Sequence, residues 1–176
     1  MADCVNALRE WTGKASATVV FDSTVDEFTA DGLFNTIQGK PNIALVGFTA
    51  EGDVFGAFYS VAVTEQGEEY FDPDTFAFSF ESRGRCMAPQ RFVASADAKK
   101  QANLSFCHND GSAVVDFWVS GDGFFWLENE RPDLLCFFQM CDAFEGLEDT
   151  TLSGKYCPWG QGPFHDCTRL VAIQLS

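Results

Sequence analysis

The chain has 176 residues, and 46% of them are hydrophobic, including 19 Phe and 4 Trp. That is enough apolar material for one substantial core, so we expect a single domain. The 26 acidic residues outnumber the 11 basic residues and give a formal net charge of −15, which repels phosphate-rich partners over long range. The charge therefore argues against general nucleic-acid binding.

The sequence carries no sign of a membrane span or of export. No run of about 18 apolar residues is present, and Asp3 and Glu10 fall where a signal peptide would need a basic segment and an apolar stretch. We therefore expect an intracellular, cytoplasmic protein. The 7 cysteines are an odd, scattered set in a chain large enough to fold without disulfides, so we expect mostly buried free thiols.

Two short helices are predicted near the start of the chain. In residues 2–11, Val5, Leu8 and Trp11 share one face, and we expect this helix to pack on the outside of the sheets. Residues 24–27 have the form of a capping box, so a second helix should begin there. The apolar face of that helix is Ala30, Leu33, Phe34 and Ile37, and Gly39 with Pro41 ends it.

Strand-like runs make up most of the remaining chain. Residues 43–49 and 54–63 are joined by a short polar loop and predict a central hairpin. In residues 75–81, Phe76, Phe78 and Phe80 alternate with small residues, which is typical of a strand with one face on a core. Further strands are predicted at 17–22, 91–95, 104–108, 113–119, 124–128 and 170–175, and the stretch from 139 to 166 is expected to be surface loop.

This spacing of short strands and Gly-containing turns favours antiparallel pairing, because parallel neighbours would need a long crossover between each pair. The expected fold is mostly β (α+β): a two-sheet antiparallel β-sandwich flanked by a few short helices.

Gly56 lies inside a strand-like run, where a missing side chain permits the close approach of a backbone or an aromatic ring. We expect that neighbour to come from the second helix, at Leu33 and Phe34. A side chain at position 56 should then destabilise the fold by overpacking.

Few residues are available for catalysis or metal binding. The two histidines are His108 and His165, and adjacent Cys107 and His108 would leave a regular strand on opposite faces. His165 and Cys167 could share a face, but a solvated loop histidine is the favoured interpretation. A zinc site could draw on Cys136, Cys141, Cys157, His165 and Cys167. A calcium site could draw on Asp72 and Asp74, or on the acids from Glu145 through Glu148 and Asp149. Because the close cysteine pairs of zinc sites and the EF-hand pattern are both absent, we expect no catalytic residue, no metal and no cofactor.

Five of the 11 basic residues fall between positions 83 and 100, where Asp97 is the one acid. This basic group is Arg83, Arg85, Arg91, Lys99 and Lys100. Arginines on either side of Gly84 could fork onto a carboxylate or a phosphate. We hypothesise that the group docks an acidic protein partner or an anionic lipid headgroup, the alternative being a hairpin with solvated charges.

Several motifs occur in the order found in one known family. Residues 52–58 read Gly-Asp-Val-Phe-Gly-Ala-Phe, a hairpin signature preceded by a short helix. The Phe-rich strand, a glycine-led strand from Gly121 and a Cys-x-x-Phe loop at 141–144 come after it. With these motifs the chain resembles the TLDc domain over roughly residues 18–176. The motif residues are Gly52, Phe55, Gly56, Phe58, Phe76, Phe78, Phe80, Cys141 and Phe144.

The resemblance implies a two-sheet sandwich with flanking helices and no established active site. It also implies roles in oxidative-stress protection and in binding the vacuolar proton ATPase, with phosphoinositide binding in some relatives. The chain departs from the family at its last strand, where residues 170–173 read Leu-Val-Ala-Ile in place of the usual Leu-Glu-Val-Trp. We expect one TLDc-like domain over 1–176, with a helical extension at 1–16 and the sandwich at 17–176, in a short stand-alone form.

The leading hypothesis is a non-catalytic, regulatory protein-interaction module. A second hypothesis is a redox-sensing or cryptic enzymatic domain, in which an exposed thiol reacts with peroxide. Its candidates are Cys136, Cys141, Cys157 and Cys167. A transcription-related nucleic-acid role through the basic group is a third, which the net charge opposes.

Overall fold

The computed structural model of the chain describes residues 2–96, 103–106, 113–119, 122–128, 133–134, 143–148, 150–152 and 165–176. Of these, residues 30, 103–106, 113–119, 122–128, 133–134 and 165–166 are described by their backbone alone. The described residues form two short helices, α1 (Ala2–Thr12) and α2 (Ala30–Ile37), and eleven strands. The strands are β1 (Ala17–Asp22), β2 (Ile43–Thr49), β3 (Val54–Tyr59), β4 (Glu69–Phe71), β5 (Phe76–Glu81), β6 (Gln90–Val93), β7 (Asn103–Phe106), β8 (Ala113–Val119), β9 (Asp122–Glu128), β10 (Asp133–Leu134) and β11 (His165–Leu175).

The larger sheet is antiparallel and has the strand order β1-β11-β2-β3-β5-β6, with β10 paired to the start of β11. The last strand of the chain thus lies between β1 and β2, where Val171 pairs with Asp22 on one side and Val46 on the other. Strands β4, β7, β8 and β9 form a second antiparallel sheet. The predicted mostly β, antiparallel fold is confirmed. Face-to-face packing of the sheets stays a prediction, because the side chains of β7, β8 and β9 lie outside the described residues.

The first face of the larger sheet is covered by α2 and by residues 143–152. Leu45, Ala57 and Ala77 point to this face and pack in one cluster with the apolar side of α2. Phe144 and Leu152 belong to the same cluster and are buried. Because burying a large apolar side chain stabilises a fold by about 1.5–3 kcal/mol, this face is a main source of stability.

The second face of the larger sheet is covered by α1. Leu8 is fully buried against this face, and Trp11 stacks over Phe80 with ring centroids 5.8 Å apart. Phe76 and Phe78 point to the same face, whereas the alternate residue Ala77 belongs to the first face. The predicted alternation in β5 and the packing of the first helix on the outside of the sheet are both confirmed.

The start of α2 differs from the prediction. Residues 24–27 do not open the helix, because Asp22 closes a turn there by accepting hydrogen bonds from the backbone N–H and hydroxyl of Thr24. The helix begins after Thr29, whose hydroxyl accepts a hydrogen bond from the N–H of Gly32 at 3.0 Å. Short polar side chains compete with helical hydrogen bonding in this way, so the capping-box prediction was wrong.

Strand β3 ends at Tyr59 rather than at residue 63, because Asp72 draws the following residue out of the ladder. Asp72 is fully buried and accepts hydrogen bonds from the N–H of Ser60 at 2.5 Å and from its hydroxyl at 2.8 Å. Strands β4 and β10, with three and two residues, were not predicted.

The predicted surface loop at 139–166 is wrong for its described part at residues 143–148 and 150–152. Ala143, Phe144, Leu147 and Leu152 are buried there. The backbone of this segment also pairs with the end of β6, since the N–H of Ser95 donates to the carbonyl of Ala143 at 2.8 Å. The segment is therefore part of the core.

Candidate interaction site

Most of the hairpin and Phe-rich motif residues build the core. Phe55 and Phe144 are buried on the first face of the larger sheet, and Phe58 is buried on the second face beside Phe76. Gly52 lies in the β2–β3 turn with φ +95°, a conformation that favours glycine. Cys141 lies outside the described residues. The placed motif residues therefore specify the fold rather than a surface.

Gly56 occupies a position with no room for a side chain. A Cβ added there would lie 1.9 Å from the carbonyl oxygen of Leu45 and 2.6 Å from Cζ of Phe78. The close approach of a backbone and an aromatic ring is as predicted. The predicted source of these contacts is wrong, because they come from β2 and β5 and not from the second helix at Leu33 and Phe34.

Arg85, one of the basic group, is used inside the fold. Its Nη2 lies 2.5 Å from Oδ1 of Asp53 and donates to the carbonyl of Leu152 at 2.9 Å, while Nε donates to the carbonyl of Thr151 at 3.2 Å. The Asp53 side chain is 1% exposed, and its Oδ2 has no hydrogen-bond partner among the described residues. Arg85 therefore joins the β2–β3 turn, the β5–β6 turn and the 150–152 segment.

Arg91 holds α1 on the sheet. Its Nη1 donates to the carbonyl of Trp11 at 2.7 Å, and its guanidinium lies 5.8 Å from the ring centroid of Phe76. Arg91 pairs with Phe78 across β5 and β6, which places it on the same face as the helix. Lys99 and Lys100 lie outside the described residues.

Arg83 is exposed, and its guanidinium makes no hydrogen bond or ion pair to the residues that the structure describes. It belongs to the β5–β6 turn, residues 82–89, which is held in one conformation by local hydrogen bonds. Oε1 of Glu81 accepts from the N–H of Arg83 at 2.8 Å, and the hydroxyl of Ser82 accepts from the N–H of Cys86 at 2.6 Å. Arg83 itself has φ +54°, which turns the chain sharply.

The β5–β6 turn also presents an apolar side chain to solvent. Met87 is 99% exposed, whereas the turn around it is held by Arg85. Sequence reasoning missed Met87, because a lone methionine among Cys, Ala and Pro has no periodic pattern that reveals its exposure. A cation and a flexible apolar side chain on a braced turn are suited to protein recognition.

A second ion pair fastens the two strands at one edge of the larger sheet. The guanidinium of Arg169 binds both carboxylate oxygens of Asp22, and Nε lies 3.0 Å from Oδ1. This hydrogen bonding holds the pKa of Asp22 well below its usual range and raises the pKa of Arg169. Burial raises the pKa of Tyr59 in the core. The ion pair and the burial of Tyr59 in the core thus account for these pKa shifts.

The part of the chain that the structure describes gives little support to the catalytic and metal-binding alternatives. No group of three His, Cys, Asp or Glu side chains able to hold a metal occurs there. Cys167 is buried, so it does not fit the exposed reactive thiol of the redox hypothesis. Cys136, Cys141 and Cys157 lie outside the described residues, as do Cys107, His108 and the side chain of His165. Cys4 and Cys86 are free thiols.

In the described ranges, neither helix has the length and apolar character needed to cross a bilayer.

A comparison with protein-family models matches the TLDc domain over residues 4–120, about two thirds of the chain. The chain belongs to the TLDc domain family. The match begins within α1 and ends just after β8, so the motifs at Gly121 and at 141–144 lie beyond it. A search among curated proteins found no match for the chain.

Proposed function

We propose that this TLDc domain is a non-catalytic interaction module and that the β5–β6 turn is the surface through which it contacts a protein partner. The observation that carries the proposal is the combination of Arg83 and the 99% exposed Met87 on one turn, whose residues 82–86 are tied to the fold by hydrogen bonds and the Arg85–Asp53 pair. Because those residues are already tied down, they lose little conformational entropy when a partner binds.

The charged groups that the fold uses support a structural rather than a catalytic assignment. Arg85 with Asp53, and Arg169 with Asp22, each join separate segments of the chain. Arg91 is likewise engaged with the end of α1. Within the basic group, this leaves Arg83 as the described arginine whose side chain makes no hydrogen bond to the described residues.

The partner should offer an acidic group beside an apolar pocket. The family resemblance implies the vacuolar proton ATPase as that partner, with a role in oxidative-stress protection and a cytoplasmic location. An anionic lipid surface fits less well, because one arginine near a membrane contributes only about 1 kcal/mol. The net charge of −15 would also be repelled by such a surface.

The test is capture of the purified peripheral sector of the vacuolar proton ATPase by immobilised domain. The variant combines Arg83→Glu with Met87→Ser, and leaves Arg85 intact because its replacement would unpair Asp53. The matched control combines Arg9→Glu with Val25→Ser, which changes an exposed arginine and an 81% exposed valine outside the turn.

We expect the turn variant to weaken capture at least about tenfold, since interface anchors each contribute on the order of 1–2 kcal/mol or more. The control should bind like the wild type, and all three proteins should melt at similar temperatures. Equal capture by the turn variant and the wild type would reject the proposal.

A further inference from the structure

A cavity of about 450 Å³ lies between the end of α1 and the larger sheet, where β2 and β5 begin and β3 and β6 end. It is within the size range of small-molecule sites. Along β5, whose six residues span roughly 17 Å, the cavity and the β5–β6 turn lie at opposite ends, whereas along β6 the lining residue Arg91 comes two residues after the turn. The residues that line the cavity are distinct from Arg83 and Met87 of the proposed protein-docking surface.

One side of the cavity is aromatic. Trp11, Phe58 and Phe76 line it, with the rings of Phe58 and Phe76 stacked at a centroid distance of 4.8 Å. Trp11 meets Phe76 edge-on at 6.1 Å. Phe58 and Phe76 are each 4% exposed, so it is the half-buried Trp11, backed by these rings, that can present an apolar surface to a flat or aromatic group.

The cavity also carries hydrogen-bond donors that the fold leaves available. Lys14 is half-buried, and its ammonium group makes no hydrogen bond or ion pair to any residue the structure describes. Arg91 donates one N–H to the carbonyl of Trp11. Because a guanidinium carries five N–H groups, Arg91 has further donors for a ligand.

Asn42 adds a third available group. Its side-chain amide lines the cavity without a hydrogen bond in the described part of the chain, and its backbone has φ +59°. Asparagine tolerates this left-handed conformation, and glycine adopts it readily. Lys14, Arg91 and Asn42 together make the polar side of the cavity rich in donors.

We propose that this cavity binds an organic carboxylate whose apolar or aromatic group rests on Trp11. The carboxylate would accept hydrogen bonds from Lys14, Arg91 and Asn42, a donor set of two cations and one amide. Asp74 lines the same cavity and would oppose a doubly charged phosphate more strongly than a carboxylate. The ligand class is therefore a monocarboxylate with an apolar body.

Such a carboxylate could belong to a small metabolite or to the C-terminus of a peptide. Isothermal titration should therefore compare N-acetylphenylalanine with acetyl-Ala-Ala-Phe, each with a free carboxylate. Neutral amides of both ligands and inorganic phosphate serve as chemical controls. We expect dissociation constants on the order of 1 mM for ligands of this size.

The protein variants are Lys14→Gln and Asn42→Gly, the second of which keeps the backbone conformation while removing the amide. Arg9→Gln is the matched control, since Arg9 is exposed and does not line the cavity. We expect Lys14→Gln to weaken carboxylate binding about tenfold, as loss of a charged hydrogen bond does, and Asn42→Gly to weaken it by less.

Tighter binding of the peptide than of the amino acid would assign the site to peptide termini, and the reverse order would assign it to small metabolites. The inference is overturned if neither carboxylate binds at millimolar concentration, if the amides bind equally well, or if phosphate binds more tightly. Unchanged affinity in both cavity variants would also overturn it. Because the variants lie away from the β5–β6 turn, failure here leaves the proposed protein-docking function standing.

Discussion

Replacing Gly56 by alanine is the most demanding local test of the packing. The added Cβ would lie 1.9 Å from the Leu45 carbonyl oxygen, far inside van der Waals contact, and 2.6 Å from Cζ of Phe78. The carbonyl belongs to the ladder between β2 and β3, where Val46 pairs with Gly56. The backbone at the centre of the sheet must therefore move to admit one methyl group.

Overpacking a core costs about 1–3 kcal/mol, occasionally more, and a clash with fixed backbone belongs at the upper end. We therefore expect Gly56→Ala to lower the free energy of unfolding by about 3 kcal/mol. For a chain of this length, each kcal/mol shifts the melting temperature by roughly 2–4 °C, so a fall of roughly 6–12 °C should appear by calorimetry.

Two further proteins make the assay specific. Gly13→Asn is the control, because a Cβ at Gly13 meets nothing within 4 Å and asparagine tolerates its φ of +69°. It should melt within a few degrees of the wild type. Adding Phe78→Leu to Gly56→Ala should not restore stability, since the clash with the Leu45 carbonyl persists. A Gly56→Ala protein that melts like the wild type would refute the packing argument.

The two ion pairs give the remaining predictions. Asp22→Asn should cost about 2 kcal/mol at neutral pH by removing charged hydrogen bonds to Arg169. Because the folded-state pKa of Asp22 is depressed, this contribution is present above the unfolded value of about 3.9 and lost as pH falls towards the folded pKa. Urea unfolding of the wild type and Asp22→Asn should therefore converge in acid, and a gap that persists at the lowest accessible pH would contradict the assignment. Arg85→Met should cost about 3 kcal/mol, because it leaves the buried Asp53 carboxylate unpaired, whereas Arg83→Met should stay within about 0.5 kcal/mol of the wild type. Equal melting temperatures for the two arginine variants would show that the Asp53 pair does not contribute.

The strands that the sequence predicts well are those whose pattern follows from burial alone. Phe76, Phe78 and Phe80 face one side of β5, because side chains alternate along a strand and one side lies under α1. The hairpin around Gly56 is of the same kind. Its hydrophobic residues lie on both faces of the central strands β2 and β3. The order of these residues along the chain therefore predicts the hairpin.

The errors arise where one polar side chain decides the local structure. Asp22 closes a turn that delays α2 to Ala30, and Asp72 ends β3 by binding Ser60. Both depend on which backbone group a carboxylate reaches in three dimensions. Periodicity in the sequence does not contain that information.

The sequence shows the basic group as a run of charge, but it does not show which group each arginine contacts. Arg85 pairs with Asp53 from the β2–β3 turn, and Arg91 reaches the end of α1. Both partners are distant in sequence, so composition could not separate these structural arginines from the exposed Arg83. Met87 and the available Lys14 likewise become visible only once the turns and α1 are placed.

The most direct test of the proposed interaction is site-specific photocrosslinking to the purified peripheral sector of the vacuolar proton ATPase. A diazirine amino acid would replace Met87 in one protein and Val25, the exposed apolar control, in another. We expect a crosslinked partner subunit from position 87 that is lost on adding Arg83→Glu, and little product from position 25. Crosslinks from position 25 but not from position 87 would contradict it.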